Sequence, residues 1–145
     1  MGVSAIFSCM NPDFLCPCGT QKLYGVCCKP YHLGALPENA LLLMRSRYTA
    51  YALKLADYII QTTHPRNPSY NLNFQEWRQA ILHFCENTRF EGLKIVEFVD
   101  GEKVATVTFT AHLKQGGQNA SFTEKSTFEK VDKRWLYKDG VVKTE

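Results

Sequence analysis

The stretch KVATVTFTAHLKQGGQNASFTEKSTFEKV, residues 103–131, alternates apolar and polar side chains on both sides of a Gly-Gly pair. A period of two is typical of half-buried strands, and paired glycines between two such segments favour a tight hairpin. One face of the first segment is apolar and carries Val107, Phe109, Ala111 and Leu113. The stretch therefore predicts two antiparallel strands, 103–114 and 120–131, each with one face turned to a core.

The flanking residues extend this pattern into a meander. Residues 93–99 alternate before an Asp100-Gly101 turn, and Trp135 and Tyr137 alternate after Asp132-Lys133. These segments predict a strand on each side of the central hairpin. We expect four consecutive antiparallel strands.

Two helices are predicted ahead of the strands. Apolar residues recur at three- and four-residue steps from Leu41 to Ile59, which predicts one long helix that ends near His64, before Pro65. Asn73 and Glu76 resemble a capping box, and the helix that follows carries Trp77 on its apolar face. Helices followed by an antiparallel meander define an α+β fold.

Composition limits the function classes. Hydrophobic residues make up 45% of the 145 and charged residues 21%, as in a folded globular protein. A formal charge of +3 gives no reason to expect nucleic acid or an anionic membrane as partner. The N-terminal MGVSAIFSCMNPDFLCPCG has neither a basic segment nor an apolar stretch of signal-peptide length. We expect a cytoplasmic protein.

Four cysteines form a C-x-C pair and a C-C pair separated by eight residues: Cys16, Cys18, Cys27 and Cys28. A reducing cytosol opposes disulfides, and a bridge within either pair would be strained. Four thiolates are a ligand set of structural zinc and leave no coordination position open. The spacing predicts one structural Zn²⁺ per chain. The alternatives are metal-free thiols or an iron–sulfur cluster, whose usual spacings differ.

The remaining cysteines are predicted to bind no metal. Cys85 falls on an apolar helix face and is expected in the core, and Cys9 is expected as a free thiol. Residues 1–36 lack periodic hydrophobicity, so we predict a zinc knuckle at 1–36 and an α+β domain at 37–145.

Two resemblances to known families support this division. The start Cys16-Pro17-Cys18-Gly19-Thr20, the aromatic Tyr24 and the closing cysteine pair resemble the SEC-C zinc motif, named for the C-terminus of the SecA translocase. The segments Pro30-Tyr31, 43–48, His64-Pro65 and Glu124 with Ser126 and Phe128 resemble the YchJ-like family of bacterial proteins. This second resemblance implies an N-terminal SEC-C motif and an NTF2-like (cystatin-like) domain, a cone of antiparallel strands packed on helices. It implies no particular reaction.

Cones of this kind often hold a pocket, and the polar and aromatic residues that would line it are Arg45, Tyr48, His64, Trp77 and Glu124. Arg45 and Tyr48 share a helix face, whereas Arg47 points elsewhere. A carboxylate on an apolar face must be paired, ligand-bound or protonated. The alternative role is structural: the arginines bind carbonyls or a carboxylate such as Glu124 and fasten the knuckle to the domain, and His64 caps a helix end.

The sequence favours a non-enzymatic adaptor whose knuckle presents Lys22, Tyr24 and Lys29 to a protein partner. The SEC-C resemblance points the same way, because the SecA motif is associated with chaperone and ribosome contacts. The alternative is a small-molecule binder or enzyme that uses the cone. A substrate-sized pocket holding Glu124 beside a tyrosine or histidine would favour this alternative, and a sealed apolar cone would favour the adaptor.

Overall fold

Five strands build the sheet that the alternating stretch predicts: β1 (Arg89–Val99), β2 (Val104–Gln115), β3 (Gln118–Asn119), β4 (Phe122–Val131) and β5 (Arg134–Val142). The computed structural model describes residues 14–143, so Cys9 lies outside the described part of the chain. The sheet order is β1-β2-β4-β5, every neighbouring pair is antiparallel, and the short β3 extends the hairpin from β2.

The predicted core face of β2 is confirmed. Val107 and Leu113 are buried, and so are Phe109 and Ala111 between them. The hairpin after β2 turns at Gly116 and Gly117, whose φ angles of +57° and +78° suit residues without a Cβ. Alternation therefore places one side of the sheet against the helices.

Among the described residues a short 3-10 helix (Tyr24–Val26) and four α-helices precede the sheet: α1 (Lys29–His32), α2 (Ala40–Ala52), α3 (Ala56–Gln61) and α4 (Phe74–Glu86). Asn39 caps α2 by accepting a hydrogen bond from the Leu42 amide. Asn73 caps α4 by accepting one from the Glu76 amide, as the capping-box pattern predicts. No helix within residues 14–143 combines the length and the apolar character that crossing a membrane requires.

The prediction of one long helix was wrong. The chain leaves helical geometry at Lys54, whose φ is +64°, and resumes it in α3, which ends at Gln61 instead of His64. The break turns Ala56 and Ile59 toward the α4 residues Trp77 and Ile81, with which they form a second apolar cluster. Burial of this cluster outweighs the local cost of a left-handed lysine.

The segment after α3 joins the sheet. The Tyr137 amide donates to the Thr62 carbonyl and the His64 amide to the Tyr137 carbonyl, both at 2.8 Å. This pairing closes one side of the cone, with α2 packed across its interior face.

Candidate metal centre and cone cavity

Four sulfur atoms meet at one point near the N-terminal end of the described chain. We call them the thiol cluster: Cys16, Cys18, Cys27 and Cys28. All four Sγ atoms lie within 4.8 Å of one another, and those of Cys18 and Cys27 are 3.6 Å apart. Tetrahedral Zn–S bonds of ~2.3 Å require S···S separations of about 3.8 Å. The cluster therefore has the dimensions needed to hold one metal ion.

Local backbone geometry brings the two cysteine pairs together. The Cys16 amide donates to the Lys22 carbonyl at 2.8 Å, and Leu15 and Leu23 form an antiparallel bridge. Gly19 has a φ of +85°, and a Cβ there would lie 3.0 Å from the Leu93 carbonyl oxygen. The loop thus turns tightly while resting directly on β1.

The pKa values of the thiols depend on their contacts with one another and on burial. Hydrogen bonds from Cys16 and Cys28 lower the pKa of the Cys18 thiol, and hydrogen bonding to Cys16 and Cys18 raises the pKa of Cys28. Burial raises the pKa of Cys27 to about 11. The hydrogen bonds among the sulfurs therefore do not favour ionisation of these thiols equally. A divalent cation would favour ionisation of all four sulfurs.

The knuckle is fastened to α2. Arg45 donates from Nη1 to the Cys18 carbonyl at 2.6 Å, and the Cys16 Sγ lies 3.4 Å from the Thr49 hydroxyl. His32 bonds the Ser46 carbonyl through Nε2 at 2.9 Å, which places the proton on Nε2 and leaves Nδ1 to accept from the Tyr24 hydroxyl at 2.8 Å. Sequence reasoning assigned His32 no role. Its link is tertiary, and no spacing pattern reveals it.

The three residues predicted to face a partner occupy different environments. Lys22 is exposed and Lys29 is half-buried. Tyr24 is only 8% exposed because its ring stacks on Phe14 at 5.2 Å and its hydroxyl bonds His32. The expectation that the knuckle presents Tyr24 to a partner was therefore wrong, since this ring is the packing centre of the knuckle.

The cone contains a cavity of about 660 Å³, open on one side. We call it the cone cavity; aromatic and aliphatic side chains from α2, α4 and the sheet form most of its wall, among them Met44, Tyr48, Tyr51, Trp77, Ile81, Phe84, Phe109 and Phe128. Three of the five predicted pocket residues, Tyr48, Trp77 and Glu124, line it.

Arg45 and His64 do not line the cone cavity, so their placement in a pocket was wrong. Arg45 projects to the opposite side of α2, toward the knuckle, as the structural alternative expected. His64 sits beyond the end of α3, where Nδ1 accepts from the Arg66 amide and Nε2 bonds the Glu129 carboxylate. The backbone pairing of His64 with Tyr137 holds this residue beside β5, within reach of Glu129 on β4.

Glu124 is held by two hydroxyl donors. Ser126 donates to its Oε2 at 2.6 Å and Tyr137 donates to the same atom at 2.8 Å. Burial, reinforced by the Glu124 charge, raises the pKa of Tyr137, so its hydroxyl stays a donor. Within residues 14–143, no hydrogen bond reaches Oε1 of Glu124, so this oxygen is available to a molecule in the cavity.

Arg47 lines the cone cavity, although the sequence analysis named no pocket role for it. It is 7% exposed, with its Nη1 directed to the Ile59 carbonyl at 3.1 Å and the Thr62 and Thr63 hydroxyls at 2.7 and 3.1 Å. Its Cζ lies 4.8 Å from the centre of the Tyr137 ring. One sequence signal exists for this position: residue 47 follows the apolar Leu43 by four positions, which places both on the same side of α2.

The fold and the thiol cluster together define a class, an NTF2-like domain that carries an N-terminal cysteine knuckle. Residues 39–140 match the family description of the YchJ middle NTF2-like domain. A UPF0225 protein of Serratia proteamaculans is 40% identical over 131 residues, which cover 87% of this chain and 82% of that protein. The chain therefore belongs to the YchJ-like family.

Two solved structures are similar to this chain over 90% of its length. The SEC-C motif containing protein RPA3114 of Rhodopseudomonas palustris superposes with a TM-score of 0.77 and 31% identity, covering 90% of this chain and all of that one. A SEC-C motif containing protein from Psychrobacter arcticus gives a TM-score of 0.72 and 29% identity, with 90% and 83% covered. The α+β, NTF2-like prediction is thus confirmed.

Proposed function

We propose that the cone binds a small, mostly apolar organic molecule whose polar group meets Glu124. The observation that carries this proposal is the open apolar cavity of about 660 Å³ with Glu124 on its wall, hydrogen-bonded to Tyr137. Ligand sites typically measure about 300–1,000 Å³ and combine apolar walls with a few fixed polar groups. A core that served packing alone would be filled.

The Glu124 carboxylate on the cavity wall supports a role for the cavity in ligand binding. Ser126 and Tyr137 orient the carboxylate through one oxygen, and the other oxygen can accept a hydrogen bond from a ligand. An orienting pair of donors reduces the conformational entropy that the Glu124 side chain loses when a ligand binds. The sequence places no nucleophile and base in one recognisable motif, so binding is the function that we propose.

The test uses N-phenyl-1-naphthylamine, a neutral apolar amine whose fluorescence rises in apolar sites. We expect saturable binding to the purified protein and its loss in Ala80→Trp, because Ala80 is exposed at the cavity wall and an indole there would occupy the space. Ala35→Trp adds the same ring to an exposed residue of the knuckle and should leave binding intact. Equal binding by both variants, or none by the wild type, would overturn the proposal.

The ion that we assign to the thiol cluster is Zn²⁺, one per chain. Four sulfur ligands, three of them buried, support this assignment because a closed thiolate shell is the usual structural zinc site. When bound, the ion would supply cross-linking of the knuckle, with no coordination position left for a substrate.

A second candidate function is contact with a protein partner through the knuckle. Lys22 is exposed there, and Val26 and Leu33 are 73% and 76% exposed. If this surface binds a partner, Lys22→Glu with Val26→Glu should abolish capture of that partner from cell extract. The matched change on β1, Lys94→Glu with Val96→Glu, should not; equal capture by both would argue against the knuckle.

A further inference from the structure

Arg47 carries a buried positive charge that nothing in residues 14–143 neutralises directly. The three groups that accept from its Nη1 are a carbonyl and two hydroxyls, all uncharged. The ion pairs of the described chain are His64–Glu129 and Arg78–Asp57, and Arg47 belongs to neither. The Tyr137 ring face gives a cation–π contact, which offsets part of the cost of burying a charge.

The guanidinium has donors that the described chain does not use. Nε and Nη2 make no hydrogen bond within residues 14–143, and neither is among the fully buried polar atoms without a partner there. Arg47 also lines a second cavity, of about 340 Å³, which shares Tyr51, Trp77 and Tyr137 with the cone cavity. Arg47 therefore borders both spaces, and Nε with Nη2 forms the fork that binds a carboxylate.

Tyr137 joins Arg47 to Glu124. Its ring face contacts the guanidinium and its hydroxyl donates to the carboxylate. One wall of the cavity thus presents a cation and, one tyrosine away, an acceptor oxygen. Arg47 is the one lysine or arginine among the described residues that line either cavity. A single cation fits a monoanion better than a phosphate dianion.

We infer that the ligand is an apolar carboxylic acid that also carries a hydrogen-bond donor, such as a hydroxyl. The carboxylate pairs with Nε and Nη2 of Arg47, the donor meets Oε1 of Glu124, and the apolar body occupies the aromatic wall. The donor strengthens binding because a carboxylate alone would face the Glu124 charge without a group between them. This inference rests on the proposed function, since it names the ligand class of the same cavity.

The first experiment needs no substitution. N-phenyl-1-naphthylamine bound to the wild-type protein is displaced by 1-decanol, decanoate or 3-hydroxydecanoate. We expect 3-hydroxydecanoate to bind about tenfold more tightly than 1-decanol, the difference that one charge-assisted hydrogen-bond pair supplies. Decanoate should fall between them. If the probe binds and the alcohol competes as well as the hydroxy acid, the ligand class is wrong although the cavity binds apolar molecules. Failure of the probe itself contradicts the proposed function instead.

Variants then separate recognition from packing. Arg47→Gln should remove the preference for the acid while decanol binding stays within about twofold, and Arg47→Lys should keep part of it because the charge remains. Arg78→Gln removes the same charge from an exposed ion pair on α4. It should change neither the preference for the acid nor the binding of decanol. Glu124→Gln should narrow the advantage of 3-hydroxydecanoate over decanoate. An unchanged acid preference in folded Arg47→Gln would show that Arg47 is structural and overturn the inference.

Discussion

Gly140 leaves room for the carboxylate of Glu124 on the neighbouring strand. A Cβ at position 140 would overlap Oε2 of Glu124 and lie 2.8 Å from the Tyr137 hydroxyl. The side chain of Glu124 can move, but only by giving up the bonds from Ser126 and Tyr137. The absence of a side chain at one strand position thus fixes the acceptor of the cone cavity.

Gly140→Ala should therefore displace the carboxylate and lower the free energy of unfolding by about 1–2 kcal/mol, the net value of one or two hydrogen bonds. Urea unfolding measures this change, and 3-hydroxydecanoate should lose its advantage over decanoate in the same variant. Gly25→Ala is the matched control, because a Cβ there meets no atom within 4 Å. Equal effects of the two substitutions would mean that Gly140 has no special relation to Glu124.

His32 makes stability depend on pH. Burial lowers its pKa in the folded protein from the ordinary 6.5, so the unfolded chain binds a proton more readily. The free energy of unfolding contributed by this group is fully present above pH 6.5 and falls as the pH drops to the lowered value. Acidification from pH 7.5 to 5.5 should therefore destabilise the protein.

Histidine substitution isolates this contribution from release of a metal by acid. His32→Gln should show a smaller loss of stability between pH 7.5 and 5.5 than the wild type, whereas His83→Gln, on the exposed face of α4, should match the wild type. Urea unfolding at both pH values measures the difference. If folded His32→Gln loses as much stability as the wild type between these pH values, His32 is not the source of the pH dependence.

At the scale of elements, α2 serves two neighbours at once. Arg45 and Thr49 contact the knuckle, while Arg47, two positions from each, lines the cone cavity. A helix turns about 100° per residue, so residues two apart point to nearly opposite sides. The same short segment therefore supports the thiol cluster and the cavity wall.

Removal of the metal should loosen the knuckle and spare the sheet. Residues 15–34 have few backbone ladders of their own, whereas β1, β2, β4 and β5 pair along their lengths. After chelation, hydrogen exchange should speed up across 15–34 and stay slow in these strands. Mass spectrometry of peptides measures both regions, with chelator presaturated by zinc as the control. Faster exchange throughout the sheet would show that the knuckle and the domain form one cooperative unit.

At the scale of the whole molecule, periodicity could predict the sheet and its core face, since Val107 to Leu113 alternate without interruption. The cysteine spacing likewise predicted the thiol cluster. Neither signal predicts the break between α2 and α3 at Lys54. No glycine or proline marks this position, and tertiary packing decides its geometry. Periodicity also identifies a buried face without saying what covers it, and Arg45 was therefore assigned to the cavity. Tyr24 lies in a segment without periodicity, and its contacts with Phe14 and His32 are visible only in the fold.

The metal content of the whole protein is the most direct test of the knuckle. Three of the four sulfurs are buried and all lie within 4.8 Å, so the cluster is organised in the fold that carries it. Protein purified without added metal should contain near-stoichiometric zinc by elemental analysis. Cys27→Ser should lose it, and the half-buried position of Cys27 lets a serine be accommodated.

Cys85→Ser is the matched control for that loss. Cys85 is buried in the apolar cluster of α3 and α4, where burial raises the pKa of its thiol to about 11 and keeps it a neutral core residue. The Cys85→Ser variant should retain the zinc. Chelator should change its melting temperature by the same amount as it changes that of the wild type. Cys27→Ser should instead melt at the temperature of the chelated wild-type protein, because both lack the same cross-link. The opposite outcome is a wild-type protein that contains no metal and whose knuckle amides are still protected from exchange. It would show that packing on α2 alone orders these residues and that the thiol cluster does not bind zinc.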